Sequence, residues 1–198
     1  MKALTLTATL FTSLMLLPQA SASNLEKVYG TGDPIPKPMI MNKFVEFTNA
    51  RKPPELVFHA RDGAPVSMNQ HRGNLTLINI WASWCGPCLK ELPALDQMEK
   101  EYQGQPLAVV PVSIDEQSPD EVYKILANYQ LQGIETLFDA DHSMHGVMPV
   151  NVVPATYVLD GNGNIVGFVR GYLDWEDPQV APYLDKLIAK YSTAKPQS

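Results

Sequence analysis

Cysteine is nearly missing from this 198-residue chain, which has two, Cys85 and Cys88, and no others. A scaffold of structural disulfides is thereby excluded. One pair two residues apart closes a loop too short to constrain an unfolded chain by much. Basic clusters are missing as well: 15 Lys and Arg stand against 21 Asp and Glu, for a net charge of −6. That balance offers no basic patch for nucleic acid and no polybasic anchor for an anionic lipid surface. No apolar run reaches the ~20 residues that cross a bilayer comfortably, and no internal repeat or low-complexity tract is visible. What remains is a chain with 45% hydrophobic residues, long enough to bury one core of ordinary size.

The N-terminus is distinct. Met1-Lys2 precedes an apolar stretch from Ala3 to Leu17, followed by Pro18-Gln19-Ala20-Ser21-Ala22. One basic residue, a short apolar core and a small-x-small ending read as a secretory signal over residues 1–22, cleaved after Ala22. Retention as an N-terminal membrane anchor is the alternative. Lys2 is the only charge in that segment, so cleavage takes the net charge from −6 to −7. Export gives the cysteine count its meaning. In an oxidising compartment cysteines usually form fixed bridges, whereas one close pair suits a dithiol that forms and breaks its disulfide repeatedly.

The local setting supports that reading. Leu75-Thr76-Leu77-Ile78-Asn79-Ile80-Trp81 reads as a buried strand, and Leu92, Leu95, Met98 and Tyr102 recur at helical steps. Between them stands Trp84-Cys85-Gly86-Pro87-Cys88. Strand, turn, Cys-x-x-Cys and helix together read as a redox site. A helix start favours the ionised thiol, which would bring Cys85 below the free-cysteine value of about 8.5. Cys85 then attacks a disulfide, and Cys88, one turn further in, resolves the mixed disulfide. The competing readings are a zinc half-site completed by His142 and His145, a structural disulfide, and a chance coincidence.

Residues 1–22 are thus assigned to the signal, 23–47 to an extended tether rich in Gly and Pro with room for one ordered piece around Phe44 to Phe47, 48–193 to the folded domain, and 194–198 to a C-terminal tail. Within the domain, runs at 56–60 and 65–68 flank Asp62-Gly63 and predict a β-hairpin. Residues 107–113 predict another buried strand. Ser118-Pro119-Asp120-Glu121 combines a capping box with proline at the first helical position. A second hairpin is expected around Asp160-Gly161-Asn162-Gly163, and a closing helix from about Pro182 to Tyr191. The order predicts an α/β fold: parallel central strands with helices on both faces, an antiparallel edge from the late hairpin, and the early hairpin as an N-terminal extension.

Over roughly residues 43–191 the chain resembles the exported TlpA/ResA group of thiol–disulfide oxidoreductases, within the thioredoxin fold. The resemblance rests on Asn79-Ile80-Trp81-Ala82-Ser83-Trp84, on Trp84-Cys85-Gly86-Pro87-Cys88, on Lys90-Glu91-Leu92-Pro93 and on Val153-Pro154-Ala155-Thr156, with Gly171-Tyr172-Leu173-Asp174-Trp175 leaning to the TlpA side. It implies a central mixed β-sheet flanked by helices, and a redox-active Cys85–Cys88 disulfide.

Further residue roles follow from the same likeness. Gly86 and Pro87 are implied to tune the potential, toward a reductant, because this dipeptide is thioredoxin's own. Trp84 is implied to cover one side of the pair and to meet the substrate. Pro154 is implied to be a cis-proline opposite the cysteines, leaving the backbone of Val153 to pair with an extended client. Glu91 lies one helical turn after Cys88 and is implied to assist proton transfer; the alternative is a solvated helix glutamate. Asn79 stands where cytosolic thioredoxin has a buried aspartate. That shifts weight onto Glu91 or water as the base.

The function expected is that of a periplasmic reductant of client-protein disulfides, of the cytochrome-maturation or copper-centre-assembly type. It would work without cofactor or metal, as a monomer, fed by a membrane-bound electron donor and without nucleic-acid partners. The rivals are a disulfide-forming oxidant or isomerase, and a copper-binding chaperone using Cys85, Cys88, His142, His145 and Met148.

Overall fold

A computed structural model describes residues 25–147 and 152–194. The signal segment 1–22 lies outside the described residues, as do Met148 and the end of the tail. Two strands come first, β1 (Glu26–Gly30) and β2 (Phe44–Lys52), then the short hairpin of β3 (Val57–His59) and β4 (Pro65–Ser67). The middle of the chain is β5 (Leu75–Trp81), α1 (Gly86–Glu101), β6 (Leu107–Ser113), α2 (Pro119–Asn128) and β7 (Leu137–Phe138). β8 (Ala155–Leu159), β9 (Ile165–Arg170) and α3 (Val180–Tyr191) close it. The strands form one mixed sheet in the order β1-β2-β9-β8-β5-β6-β7-β3-β4. β5 lies near its middle, parallel to β6 and antiparallel to β8. All seven residues of β5 are buried, as a strand covered on both faces requires.

The three α-helices share one face. Leu75 and Leu77 pack in a cluster with Leu95 and Met98 of α1 and Leu184 and Leu187 of α3. Trp81, on the same face of β5, meets Leu89 and Leu92 of α1 and Val122 and Leu126 of α2. The opposite face, with Ile78 and Ile80, is covered by Met68, Met144 and Val147. Those residues come from two 3-10 turns and their flanks rather than from α-helices. Of the helices expected on both faces, those on this face are short 3-10 turns, and the three α-helices lie on the other. β5-α1-β6 and β6-α2-β7 step in the same direction along the sheet, and right-handed crossovers of one direction put both helices on one side. The capping box of α2 is present, with Ser118 and Glu121 bonded reciprocally.

The N-terminal part differs most from expectation. Residues 23–47, assigned to an extended tether, contain β1 and the start of β2. The late hairpin is therefore not the edge, because β2 pairs with β9 and β1 pairs with β2 beyond it. Gly167 of β9 permits this approach: a Cβ there would lie 2.5 Å from the Val45 carbonyl oxygen. The segment is also clamped to α3. The Glu46 carboxylate accepts hydrogen bonds from the Ile35 N–H (3.1 Å), from Lys190 Nζ (2.6 Å) and from the Tyr191 hydroxyl. Lys190 Nζ also donates to the Asp33 carbonyl at 2.8 Å. Every residue of β1 is exposed, so no apolar alternation marks it as a strand. Main-chain pairing and polar clamps hold this region in place.

Candidate functional site

α1 begins at the cysteines because each residue there fits a helix start. Cys85 is the N-cap, extended in backbone, and its Sγ accepts a hydrogen bond from the Cys88 N–H at 3.2 Å. Gly86 and Pro87 occupy the first two helical positions, where a missing N–H leaves nothing unsatisfied. Cys85 and Cys88 form a disulfide with S–S 2.07 Å. Cys88 is wholly buried, whereas Cys85 keeps 5% of its surface. Cys85 is thus the more exposed sulfur of the pair, and the N–H that now faces its Sγ would stabilise a thiolate there after reduction.

The loop before the cysteines is pinned from the neighbouring strand. Asp115, just past β6, accepts from the Ser83 N–H (2.8 Å), the Ser83 hydroxyl (2.7 Å) and the Ser113 hydroxyl (2.7 Å). Trp81, at the end of β5, donates its indole N–H to Thr136 at 2.9 Å. Trp84, by contrast, stands out into solvent beside the pair, 67% exposed.

Glu91 is buried, which removes the solvated-glutamate alternative. One carboxylate oxygen accepts from Asn79 Nδ2 at 2.7 Å, and the other from the Leu173 N–H at 3.3 Å. Burial pushes its carboxyl up from 4.5 to about 7, against the opposing pull of Asn79, the Leu173 N–H, the Trp175 indole and the Lys43 charge. The Trp175 N–H itself meets no acceptor at hydrogen-bonding distance, so its effect on Glu91 is the weaker, longer-range kind. Asn79 Nδ2 also donates to Thr156 Oγ1 at 3.0 Å, while its Oδ1 is buried without a partner. Leu173 and Trp175 belong to a segment that carries the family resemblance, but nothing in the sequence ties them to Glu91, and Asp115 and Lys43 stand in no motif; only the fold brings these residues near.

The Val153–Pro154 peptide is cis. Val153 is half-buried against the cluster that contains both cysteines. The Pro154 carbonyl accepts from the Gly171 N–H at 2.8 Å, tying this loop to the start of the 171–175 segment. Of the histidine and methionine set considered for copper, His142 lies at the surface in a left-handed conformation. The side chain of His145 and all of Met148 lie outside the described residues. Among the described residues no three His, Cys, Asp or Glu side chains are grouped to hold a metal ion.

Residues 42–168 match the AhpC/TSA family. Thioredoxin-like protein YneN of Bacillus subtilis (strain 168) is 32% identical over 125 residues, which cover 62% of this chain and 72% of YneN. Thiol-disulfide oxidoreductase ResA of the same organism is 25% identical over 118 residues, 60% of this chain and 65% of ResA, a little under two thirds of that relative. Two crystal structures share the fold. The exposed lipoprotein thioredoxin Etrx1 of Streptococcus pneumoniae superposes with a TM-score of 0.58 at 21% identity, covering 67% of this chain and 99% of Etrx1. A secreted thiol-disulfide isomerase of Corynebacterium glutamicum gives 0.58 at 17% identity, covering 83% and 98%. With the Cys85–Cys88 disulfide at a helix start, beside a cis-proline and above a buried Glu91, the chain belongs to the AhpC/TSA family, among the TlpA/ResA-like thiol–disulfide oxidoreductases of the thioredoxin fold.

Proposed function

We propose that the protein is an exported reductase of client-protein disulfides, with Cys85 as nucleophile, Cys88 as resolving thiol and Glu91 as proton acceptor. The observation that carries this reading is the asymmetry of the pair: a reachable Cys85 at the helix N-cap and a fully buried Cys88 one turn from a buried carboxyl. Thiolate Cys85 attacks one sulfur of a client disulfide, forming a mixed disulfide and releasing the other client sulfur as a thiolate. Cys88 gives its proton toward Glu91 and attacks Cys85 Sγ. That step re-forms the Cys85–Cys88 bond and frees the second client sulfur. Two electrons pass to the client, whose thiolates take up protons, and the pair is left oxidised, as the structure holds it.

Val153, with Pro154 beside it, offers backbone for an extended client segment, because proline has no N–H to pair with a neighbouring strand. A membrane-bound donor would return the two electrons. Export is supported by the pattern of residues 1–22. Clients of the cytochrome-maturation or copper-centre-assembly type, and a monomeric state, follow from the family likeness. Gly86-Pro87 between the cysteines favours a reductant over an oxidant or isomerase. Equilibration with glutathione buffers tests this directly: the expected potential is near thioredoxin's, about −270 mV, and a value at or above about −180 mV would place the protein with the isomerases and oxidants instead.

A further inference from the structure

A groove of about 290 Å³ opens beside the redox pair, lined by Trp84, Ile114, Glu116, Gln117 and His142. Trp84 directly precedes Cys85, and Ile114 packs against the cluster that holds both cysteines. A polypeptide whose disulfide reaches Cys85 passes next to this groove, where the indole of Trp84 is left 67% exposed.

The lining has a definite chemistry. It combines an exposed indole, an aliphatic side chain, an amide, an imidazole and one carboxylate, Glu116, with no lysine or arginine. An indole face and a carboxylate together suit a cationic side chain, by cation–π attraction and ion pairing. Two further carboxylates adjoin the lining residues in sequence: Asp115, next to Glu116, is held by Ser83 and Ser113, and Asp141, next to His142, is 75% exposed and lies 3.7 Å from His59 Nε2. Lys90, on the first turns of α1, lies over the Tyr172 ring at 4.8 Å and does not line the groove. We propose that this groove reads the residue flanking the client's reacting cysteine and prefers lysine or arginine there. The inference rests on the disulfide-reductase reading above.

The test uses three disulfide-linked peptides of equal length, with Lys, Ala or Glu beside the cysteine, reduced by fully reduced parent protein in stopped flow. At low salt the Lys peptide is expected to react about tenfold faster than the Glu peptide, a partly exposed ion pair and a cation–π contact each contributing. Glu116→Gln and Trp84→Ala should each narrow that ratio severalfold. Glu26→Gln makes the same charge change on the exposed strand β1 and should leave the ratio unaltered, which separates the groove from attraction by net charge. Equal rates for all three peptides, or a ratio that Glu116→Gln and Trp84→Ala change no more than Glu26→Gln does, would overturn the inference while leaving the reductase reading intact. A parent protein that reduces none of the peptides overturns both.

Discussion

The side-chain amide of Asn79 on β5 donates a 2.7 Å hydrogen bond to the carboxylate of Glu91 on α1, and both side chains are buried. A strand position that cannot titrate is thereby joined to a helix position that can. Asn79 holds Glu91 from strand β5, the Leu173 N–H holds it from the 171–175 segment, and Cys88 stands one turn toward the start of the same helix, with Cys85 at its N-cap.

The first prediction concerns Glu91 and stability. Burial raises its carboxyl from 4.5 to about 7. The folded state therefore holds this proton more tightly than the unfolded state does. Its contribution is fully present below the ordinary carboxyl value of 4.5 and is lost as pH rises through 7. Urea unfolding of the oxidised protein, in which no thiol titrates, should show stability falling by up to about 3 kcal/mol across this window. In Glu91→Gln that part of the slope should vanish. A slope that persists in the variant assigns it to another group.

Turnover should report the same group. Disulfide reduction by the parent is expected to show an inflection near pH 7 from Glu91, and Glu91→Gln should lower the rate and remove the inflection. A pH–rate profile identical to the parent's would end the proton-acceptor assignment.

Cys88→Ser should accumulate mixed disulfides through Cys85, because the reachable thiol attacks and nothing resolves the product. Cys85→Ser should trap none, since Cys88 is wholly buried. Non-reducing gels of both variants with a model disulfide client decide this, and equal trapping would end the assignment of Cys85 as the attacking thiol.

Asp115 positions the loop that carries Trp84 and Cys85 rather than touching the sulfurs. Asp115→Ala releases three hydrogen bonds and should slow reduction several-fold and shift the redox potential. Asp115→Asn retains an acceptor for Ser83 and should recover most of the rate. An unaltered potential in Asp115→Ala would mean that the loop is fixed without it.

Glu46→Ala leaves Lys190 facing a half-empty clamp and frees the Ile35 N–H. The pair is partly buried, with Lys190 22% exposed, so the loss is smaller than the about 3–5 kcal/mol of a fully buried pair, and denaturant midpoints should fall below the parent's. The rate of Cys85 alkylation of the reduced protein at fixed pH should stay near the parent value, because the hydrogen-bond partners of Glu46 are Ile35, Lys190 and Tyr191, not the cysteines or Glu91. A purely tethering N-terminal segment would show no loss of stability.

Local chemistry is what the sequence by itself determined. The buried run of β5, the N-cap geometry of Cys85-Gly86-Pro87-Cys88, the capping box at Ser118 and the turn at Asp160–Gly163 each follow from neighbours a few residues apart, through backbone hydrogen bonding and side-chain size. Family likeness added the cis peptide before Pro154. Tertiary structure alone decided the rest. β1 and β2 carry little apolar patterning and become strands only because β9 presents an open edge and Glu46 finds Lys190 and Tyr191. α1 and α2 share one face because successive crossovers run the same way along the sheet, and α3 joins them there by packing with Leu75 and Leu77. Glu91 reads as a solvated or a buried residue equally well from its spacing. Its burial, and with it the raised proton affinity, depends on Asn79 and Leu173 arriving from strands and loops far away in the chain, which no local pattern can encode.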